Sequence, residues 1–171
     1  MKRRAAALFL TLLLSAGAPA FAALSPAEQK MGVTVDTEYD RTVALLEKLV
    51  NQNSGSMNIA GVTAVGDMIR PELEALGFKV EWKPMAAAKR AGHIVATHKG
   101  KAGTKRLLLI GHLDTVFEAD SPFQTFVRKG DEAEGPGVGD DKGGMVVMLS
   151  ALRAMQAAGA LKDANIEIVL T

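Results

Sequence analysis

The first half of the chain has apolar residues recurring every three or four positions, the spacing that places them on one face of a helix. The first such stretch begins at Ser25 and Pro26, which offer a hydroxyl cap and a proline in the first turn. It predicts a single helix that ends near Gln52. The second stretch ends at Gly77, a residue suited to a left-handed helix cap, and contains Pro71, which we expect to kink or interrupt the helix.

From residue 78 onward the pattern predicts strands and one further helix. The helical spacing runs from about Lys142 to Ala158 and stops at Gly159. One strand precedes this helix and another follows it, an order that predicts a crossover between parallel strands and therefore an α/β fold. The preceding strand is continuously apolar, which is typical of a strand covered on both faces of its sheet. Four strands are predicted at Phe78–Trp82, His93–Thr97, Arg106–Ile110 and Ile166–Leu170, and a further short strand at Thr125–Arg128.

Composition changes this picture at the amino terminus. Residues 1–22 begin with basic residues, continue with a short apolar run and end in Ala20-Phe21-Ala22, the pattern of a secretory signal peptide with its cleavage site. The apolar run is shorter than the about 20 residues that cross a bilayer. We therefore expect an exported protein, periplasmic or secreted, that has no membrane contact after cleavage.

The charge and cysteine counts disfavour several classes of function. The 20 Lys and Arg residues nearly balance the 19 Asp and Glu residues, and loss of residues 1–22 removes three of the positive charges. The exported chain is then mildly acidic, which disfavours a nucleic-acid partner. With no cysteine, the sequence has neither disulfide bonds nor a thiolate for metal binding or nucleophilic catalysis.

Candidate chemistry begins in the segment from Gly111 to Thr115, directly after the continuously apolar strand. At the carboxyl end of such a strand, His112 faces the crevice where open α/β sheets bind ligands. Asp114 can accept a hydrogen bond from one ring nitrogen of this histidine, which is the support that a zinc-bound histidine needs. By itself, such a pair is more often a polar surface network than a metal site.

A second segment, from Gly135 to Gly144, leads into the third predicted helix. It places Asp140 and Asp141 at the amino end of that helix, where the helix dipole and the free amides keep carboxylates ionised. Alone, an acidic pair in this position is usually only a helix cap. A nucleotide site is disfavoured, because the segment lacks the glycine patterns of nucleotide-binding loops and its aspartates would repel phosphate.

Together, GHLDTV at residues 111–116 and GPGVGDDKGG at residues 135–144 resemble the motifs of a zinc-dependent exopeptidase family. This family includes glutamate carboxypeptidase, aminoacylase, succinyl-diaminopimelate desuccinylase and peptidase T, and the pattern is most similar to the exported glutamate carboxypeptidases. The resemblance implies that residues 23–171 are the amino-terminal part of the catalytic domain. The expected fold is a partial three-layer sandwich with a mixed, largely parallel central sheet, truncated after a central strand and without the smaller lid and dimerisation domain.

The resemblance also implies roles for particular residues. His112 matches a ligand of one zinc ion, and Asp114 matches the carboxylate that orients this histidine. Asp140 matches the aspartate that bridges two zinc ions. The peptide bond from Asp140 to Asp141 is expected to be cis, and Asp141 itself is expected to be a neighbour of the site and not a ligand.

Other parts of the family's site have no counterpart in this sequence. Members carry an adjacent pair of glutamates, one the general base and the other a ligand, and no such pair occurs among the 171 residues. We therefore expect that the full-length protein is a two-zinc carboxypeptidase acting on a small peptide, with release of a terminal residue such as glutamate, and that the 171-residue chain is inactive. An amidase or aminoacylase acting on N-acyl amino acids, or a non-catalytic metal-binding remnant, remains an alternative. A homodimer is expected only with the missing domain.

Overall fold

A computed structural model of the chain describes residues 23–171, so the expected signal peptide lies outside the described residues. None of the helices in the described range is both long enough and apolar enough to cross a membrane. The helices are α1 (Pro26–Thr37), α2 (Tyr39–Asn51), α3 (Ile59–Ala75) and α4 (Lys142–Ala157). The strands are β1 (Lys79–Pro84), β2 (Gly92–His98), β3 (Arg106–Gly111), β4 (Val127–Lys129), β5 (Glu132–Glu134) and β6 (Asn165–Leu170).

The first predicted helix is in fact two helices, divided at Glu38. The hydroxyls of Thr34 and Thr37 donate hydrogen bonds to the carbonyls of Lys30 and Val33, at 2.8 and 2.7 Å. Such bonds to the carbonyl four residues earlier bend a helix, which gives a physical reason for the division. The start is as predicted, because Ser25 and Glu28 form a reciprocal capping box.

The other two helices follow their predicted ranges closely. Helix α3 runs through Pro71 without interruption. Gly77 follows it with a φ of 85°, the left-handed conformation that glycine adopts without steric cost. Helix α4 ends one residue earlier than predicted, and Gly159 again takes a positive φ, of 74°.

The main sheet has the order β1-β2-β6-β3. The pair β3–β6 is parallel, as the strand-helix-strand order predicted. The pairs β1–β2 and β2–β6 are antiparallel, so the sheet is mixed and its parallel part is confined to one of three pairings. A short connection of seven residues joins β1 to β2 (residues 85–91), and a connection this short permits only an antiparallel pair.

One face of the sheet packs against the helices. The hydrophobic core joins apolar residues of α2, α3 and α4 to alternate residues of the strands, including Leu49, Ile69, Leu149, Ile94 and Ile168, all with no exposed surface. Met145 lies in this core and Met148 and Met155 pack against it, as expected of structural methionines. The described residues therefore supply two layers of the sandwich, a sheet and one layer of helices.

The expectation that β3 is covered on both faces is wrong for the described residues. Leu108 is 57% exposed and Ile110 71% exposed. Strand β3 lies at the edge of the sheet, and these two side chains point away from the helical layer, since Leu109 between them packs on the core. A continuous apolar run does not by itself reveal which of two faces the helices cover.

Candidate metal centre

The turn after β3 is fixed by main-chain bonds to the end of β6. Leu113 N–H donates to the Thr171 carbonyl at 2.8 Å, and Thr171 N–H donates to the Gly111 carbonyl at 3.0 Å. The Leu113 side chain is fully buried in the core. Residues 111 and 113, on either side of His112, therefore hold the turn in place, and the side chain of His112 is left to line a cavity.

The imidazole of His112 contacts both of the other residues that the sequence singled out. Its Nδ1 lies 3.0 Å from the Asp114 carbonyl oxygen and 3.2 Å from Asp114 Oδ1. Its Nε2 lies 2.8 Å from Asp140 Oδ1. The structure thus brings His112, Asp114 and Asp140 into one cluster, although Asp114 and Asp140 are 26 positions apart in the chain.

The two carboxylates of this cluster also set the charge of the histidine. Partial burial lowers the pKa of His112, but hydrogen bonds and charge interactions with Asp140 and Asp114 outweigh that effect. The net result is a raised pKa for His112. The side chain of Asp140 is 88% exposed, so one of its oxygens contacts the histidine while the carboxylate as a whole stays open to solvent or to a ligand.

Asp141 makes contacts in the cluster that the sequence analysis did not predict. The peptide bond between Asp140 and Asp141 is cis, as the resemblance implied. Asp141 Oδ2 accepts a hydrogen bond from the His112 N–H at 3.3 Å, which ties the second segment to the first. A Cβ added to Gly111 would lie 2.5 Å from one carboxylate oxygen, and one added to Gly144 would lie 2.0 Å from the other. The two glycines make room for this carboxylate, and their positions, one in each segment, are the signal that could have indicated its role.

Lys142 connects the Gly135–Gly144 segment to the end of α2. Its side chain is fully buried, and its Nζ donates to the carbonyl of Gln52 at 2.8 Å. Burial lowers the pKa of this lysine to about 8. Gly137 has a φ of 83°, and a Cβ there would approach the lysine stem to 2.9 Å, so this glycine is required both by conformation and by space.

The loop between α2 and α3, which the sequence identified only as polar, is part of the site. Its Ser54 carbonyl accepts from Thr115 N–H at 2.8 Å, and Ser56 N–H donates to the Thr115 carbonyl at 3.1 Å. These bonds form a small parallel bridge centred on Gly55 and Thr115. The Ser56 hydroxyl donates a hydrogen bond to Asp114 Oδ2. Contacts between positions this far apart in the chain leave no local pattern in the sequence.

An open cavity of about 680 Å³ lies over the cluster. His112, Asp114 and Asp140 line its polar side. An apolar wall is formed by the loop after β3, where Phe117 and Phe123 pack edge to face with ring centres 4.9 Å apart. The cavity is therefore large enough for a small-molecule ligand and presents both polar and apolar contacts to it.

The donor set suits a metal such as zinc but is incomplete. One imidazole nitrogen and one carboxylate oxygen converge, and both are ordinary zinc ligands. A catalytic zinc ion takes three protein ligands and a water molecule. Between residues 23 and 171 no group of three or more His, Cys, Asp or Glu side chains could hold a metal ion. These residues fit part of a zinc site, and further ligands are needed to complete it.

Comparison with known proteins shows which family has the two segments of this cluster. The model of the peptidase family M20/M25/M40 matches residues 108–171, the range that holds both segments. Residues 108–171 belong to this peptidase family. Carboxypeptidase G2 of Pseudomonas sp. (strain RS-16) is 37% identical over 136 residues, which are 77% of this chain and 32% of that protein. Peptidases of this family are hydrolases and are typically metal-dependent.

Solved structures agree on the fold. Human carnosine dipeptidase 1 matches 83% of this chain and 34% of its own, with a TM-score of 0.71 and 18% identity. Aminopeptidase PepT of Bacillus cereus matches 77% of this chain and 36% of its own, with a TM-score of 0.64 and 22% identity. The chain spans about a third of the length of the relatives that it matches.

Proposed function

We propose that this chain is the amino-terminal part of an exported two-zinc exopeptidase that releases a carboxyl-terminal residue, such as glutamate, from a small peptide. The observation that carries the proposal is the convergence of His112 Nε2 and Asp140 Oδ1, 2.8 Å apart, with Asp114 behind the histidine. The match of residues 108–171 to a peptidase family supports the hydrolytic reaction.

Each residue of the cluster has a distinct task in this proposal. Asp114 accepts the Nδ1–H of His112, which fixes the tautomer and leaves Nε2 as a metal ligand. Asp140 offers a carboxylate with two oxygens, enough to contact two ions. Asp141 holds the main chain of His112 through its N–H. Zinc, when bound, polarises a scissile carbonyl and lowers the pKa of a water molecule.

The general base and the remaining ligands belong, in this proposal, to residues that follow Thr171. Thr171 lines the cavity and pairs through its main chain with the turn that carries His112. A residue after it would therefore enter the same cavity. We expect an adjacent pair of glutamates there, and we expect the 171-residue chain alone to hydrolyse no peptide.

The first experiment is to determine the coding sequence beyond the codon for Thr171 and to express the full-length protein. Purified with zinc, it should hydrolyse peptides and N-acyl derivatives that end in glutamate. Faster hydrolysis of N-acetyl amino acids in general, without preference for the carboxyl-terminal residue, would instead indicate an aminoacylase. A stop codon directly after Thr171 would contradict the enzymatic proposal.

Two ligand variants test the metal centre directly. His112→Ala and Asp140→Asn should each reduce kcat/KM by on the order of a hundredfold or more and lower the zinc content of the protein. The matched control is Asp131→Asn, an exposed aspartate in the turn between β4 and β5, which should leave both quantities unchanged. Full zinc occupancy in either ligand variant would contradict the assignment.

Export is tested by the amino terminus of the protein recovered from the periplasm or the medium. We expect cleavage after Ala22, so that Edman sequencing or intact mass gives a chain that starts at Ala23. A protein that retains residues 1–22 and stays inside the cell would contradict this part of the proposal.

A further inference from the structure

Asp114 is held from two sides. Its Oδ1 faces His112 Nδ1 at 3.2 Å, and its Oδ2 accepts a hydrogen bond from the Ser56 hydroxyl. The hydroxyl has a single proton, and its contact with the charged Asp114 carboxylate is much shorter than its 3.4 Å approach to the Thr115 carbonyl. The proton is therefore given to the carboxylate, as a charge-assisted bond.

Main-chain contacts, independent of the hydroxyl, set the position of Ser56. The bridge to Thr115 runs on both sides of Gly55, and Met57 N–H donates to Glu118 Oε1 at 3.0 Å. Gly55 allows a close approach of the two loops, since a Cβ at that position would lie 2.7 Å from the Cα of Glu118. Four consecutive residues of one loop, 54–57, are thus aligned with the segment that carries the histidine.

The consequence concerns rotation of the Asp114 carboxylate. A carboxylate with one partner can turn about the bond to its Cβ, because that torsion is broad. With Ser56 on Oδ2, the carboxylate keeps Oδ1 turned toward the Nδ1 of His112. The Nδ1 of His112 then has two acceptors on Asp114, the main-chain carbonyl at 3.0 Å and Oδ1 at 3.2 Å, and both favour the tautomer with the proton on Nδ1 and a free lone pair on Nε2.

We propose that Ser56 is a positioning residue of the metal centre, which acts by fixing the Asp114 carboxylate and through it the tautomer and direction of the His112 ring. The inference rests on the proposed function, because it assumes that Nε2 of His112 binds a metal ion. It adds a residue from the α2–α3 loop to a centre that otherwise consists of the two segments.

The test compares three variants of the full-length protein. Ser56→Ala removes the hydroxyl, Ser56→Thr keeps one, and Ser54→Ala removes a neighbouring hydroxyl that is buried but has no hydrogen-bond partner among residues 23–171. Zinc affinity is measured by competition with a chromophoric chelator. The His112 tautomer is measured in the metal-free protein from its ring nitrogen chemical shifts. Thermal unfolding of each variant verifies that it is folded.

We expect Ser56→Ala to bind zinc about tenfold more weakly, with a larger share of the Nε2–H tautomer. Ser56→Thr and Ser54→Ala should remain close to the wild type in both measurements. Unchanged affinity and tautomer in Ser56→Ala, while the wild type binds zinc, would overturn the role of Ser56 and leave the proposed function intact. An equal loss in Ser54→Ala would also overturn it, since a general loop defect would then be responsible. Absence of zinc binding in the wild type would overturn both.

Discussion

The two faces of the main sheet have different environments. On the helical side, Ile94, Ile168 and their neighbours have no exposed surface. On the opposite side, Leu108 and Ile110 of β3 are largely exposed. The contrast is present even within β3, where Leu109 packs against the core while Leu108 and Ile110 on either side of it are exposed.

The charged residues of the two faces differ in the same way. Within the helical layer that covers one face, Arg153 of α4 has only 6% of its side chain exposed and pairs with both Glu72 and Glu38. On the open face, Arg106 pairs with Glu167 while 68% of the arginine side chain is exposed. The comparison teaches that the contribution of a residue to the stability of this chain depends mainly on the face it occupies, and substitutions in matched pairs can test this.

The largest expected contrast is between two isoleucines. Ile168→Ala should lower the free energy of unfolding by about 2–5 kcal/mol, because it leaves a cavity in a closely packed core. Ile110→Ala should change it by less than about 0.5 kcal/mol, because the side chain already contacts water. Urea unfolding of residues 23–171 measures both. A comparable loss in the two variants would mean that another surface covers the open face in solution.

The same two isoleucine substitutions in the full-length protein test the contrast between the faces further. If a further layer of the sandwich covers the open face there, Ile110→Ala should become destabilising by about 1 kcal/mol or more while the effect of Ile168→Ala stays the same. An Ile110→Ala effect that is identical in both lengths would argue against that layer.

An effect smaller than that of Ile168→Ala is expected at the buried ion pair. Glu72→Gln keeps the shape of the side chain but removes the charge that faces both Arg153 and the more exposed Arg41, and should cost about 1.5–3 kcal/mol. Part of the charge of Arg153 remains compensated by Glu38, which limits the loss. Unfolding in urea at two salt concentrations gives the value, and a loss that is strongly reduced by salt would contradict the burial of this pair.

The sequence was sufficient for those features that depend on local pattern. Helices α3 and α4 were predicted because their apolar spacing and terminal glycines are local signals. The contacts of Asp141 and Ser56 with the cluster were not predicted, since each joins segments that only the fold brings together. The exposure of Ile110 was not predicted either, because an apolar run is compatible with one covered face or two.

In the candidate site, too, some residues could be predicted from local sequence and others depend on contacts between distant segments. His112 and Asp140 were identified from two short segments whose residue types and spacing are specific. The glycines at positions 111 and 144 are visible in the sequence, but their purpose appears only when the Asp141 carboxylate is seen between them. The residues that form the cluster could therefore be predicted from sequence, whereas the contacts that hold the cluster together required the structure.

The smallest expected effect is at the exposed ion pair of the open face. Arg106→Ala should lower the free energy of unfolding by at most about 1 kcal/mol, because water and salt screen the attraction between Arg106 and Glu167. The residual effect should fall further between 50 mM and 1 M salt, since the screening length shortens to about 3 Å. Glu167→Gln is the matched partner variant, and the two changes together should cost no more than either alone if the pair acts as a unit. A loss as large as that of Glu72→Gln, and insensitive to salt, would show that the open face is shielded from water at Arg106. The two faces would then not differ in their exposure to water at this position.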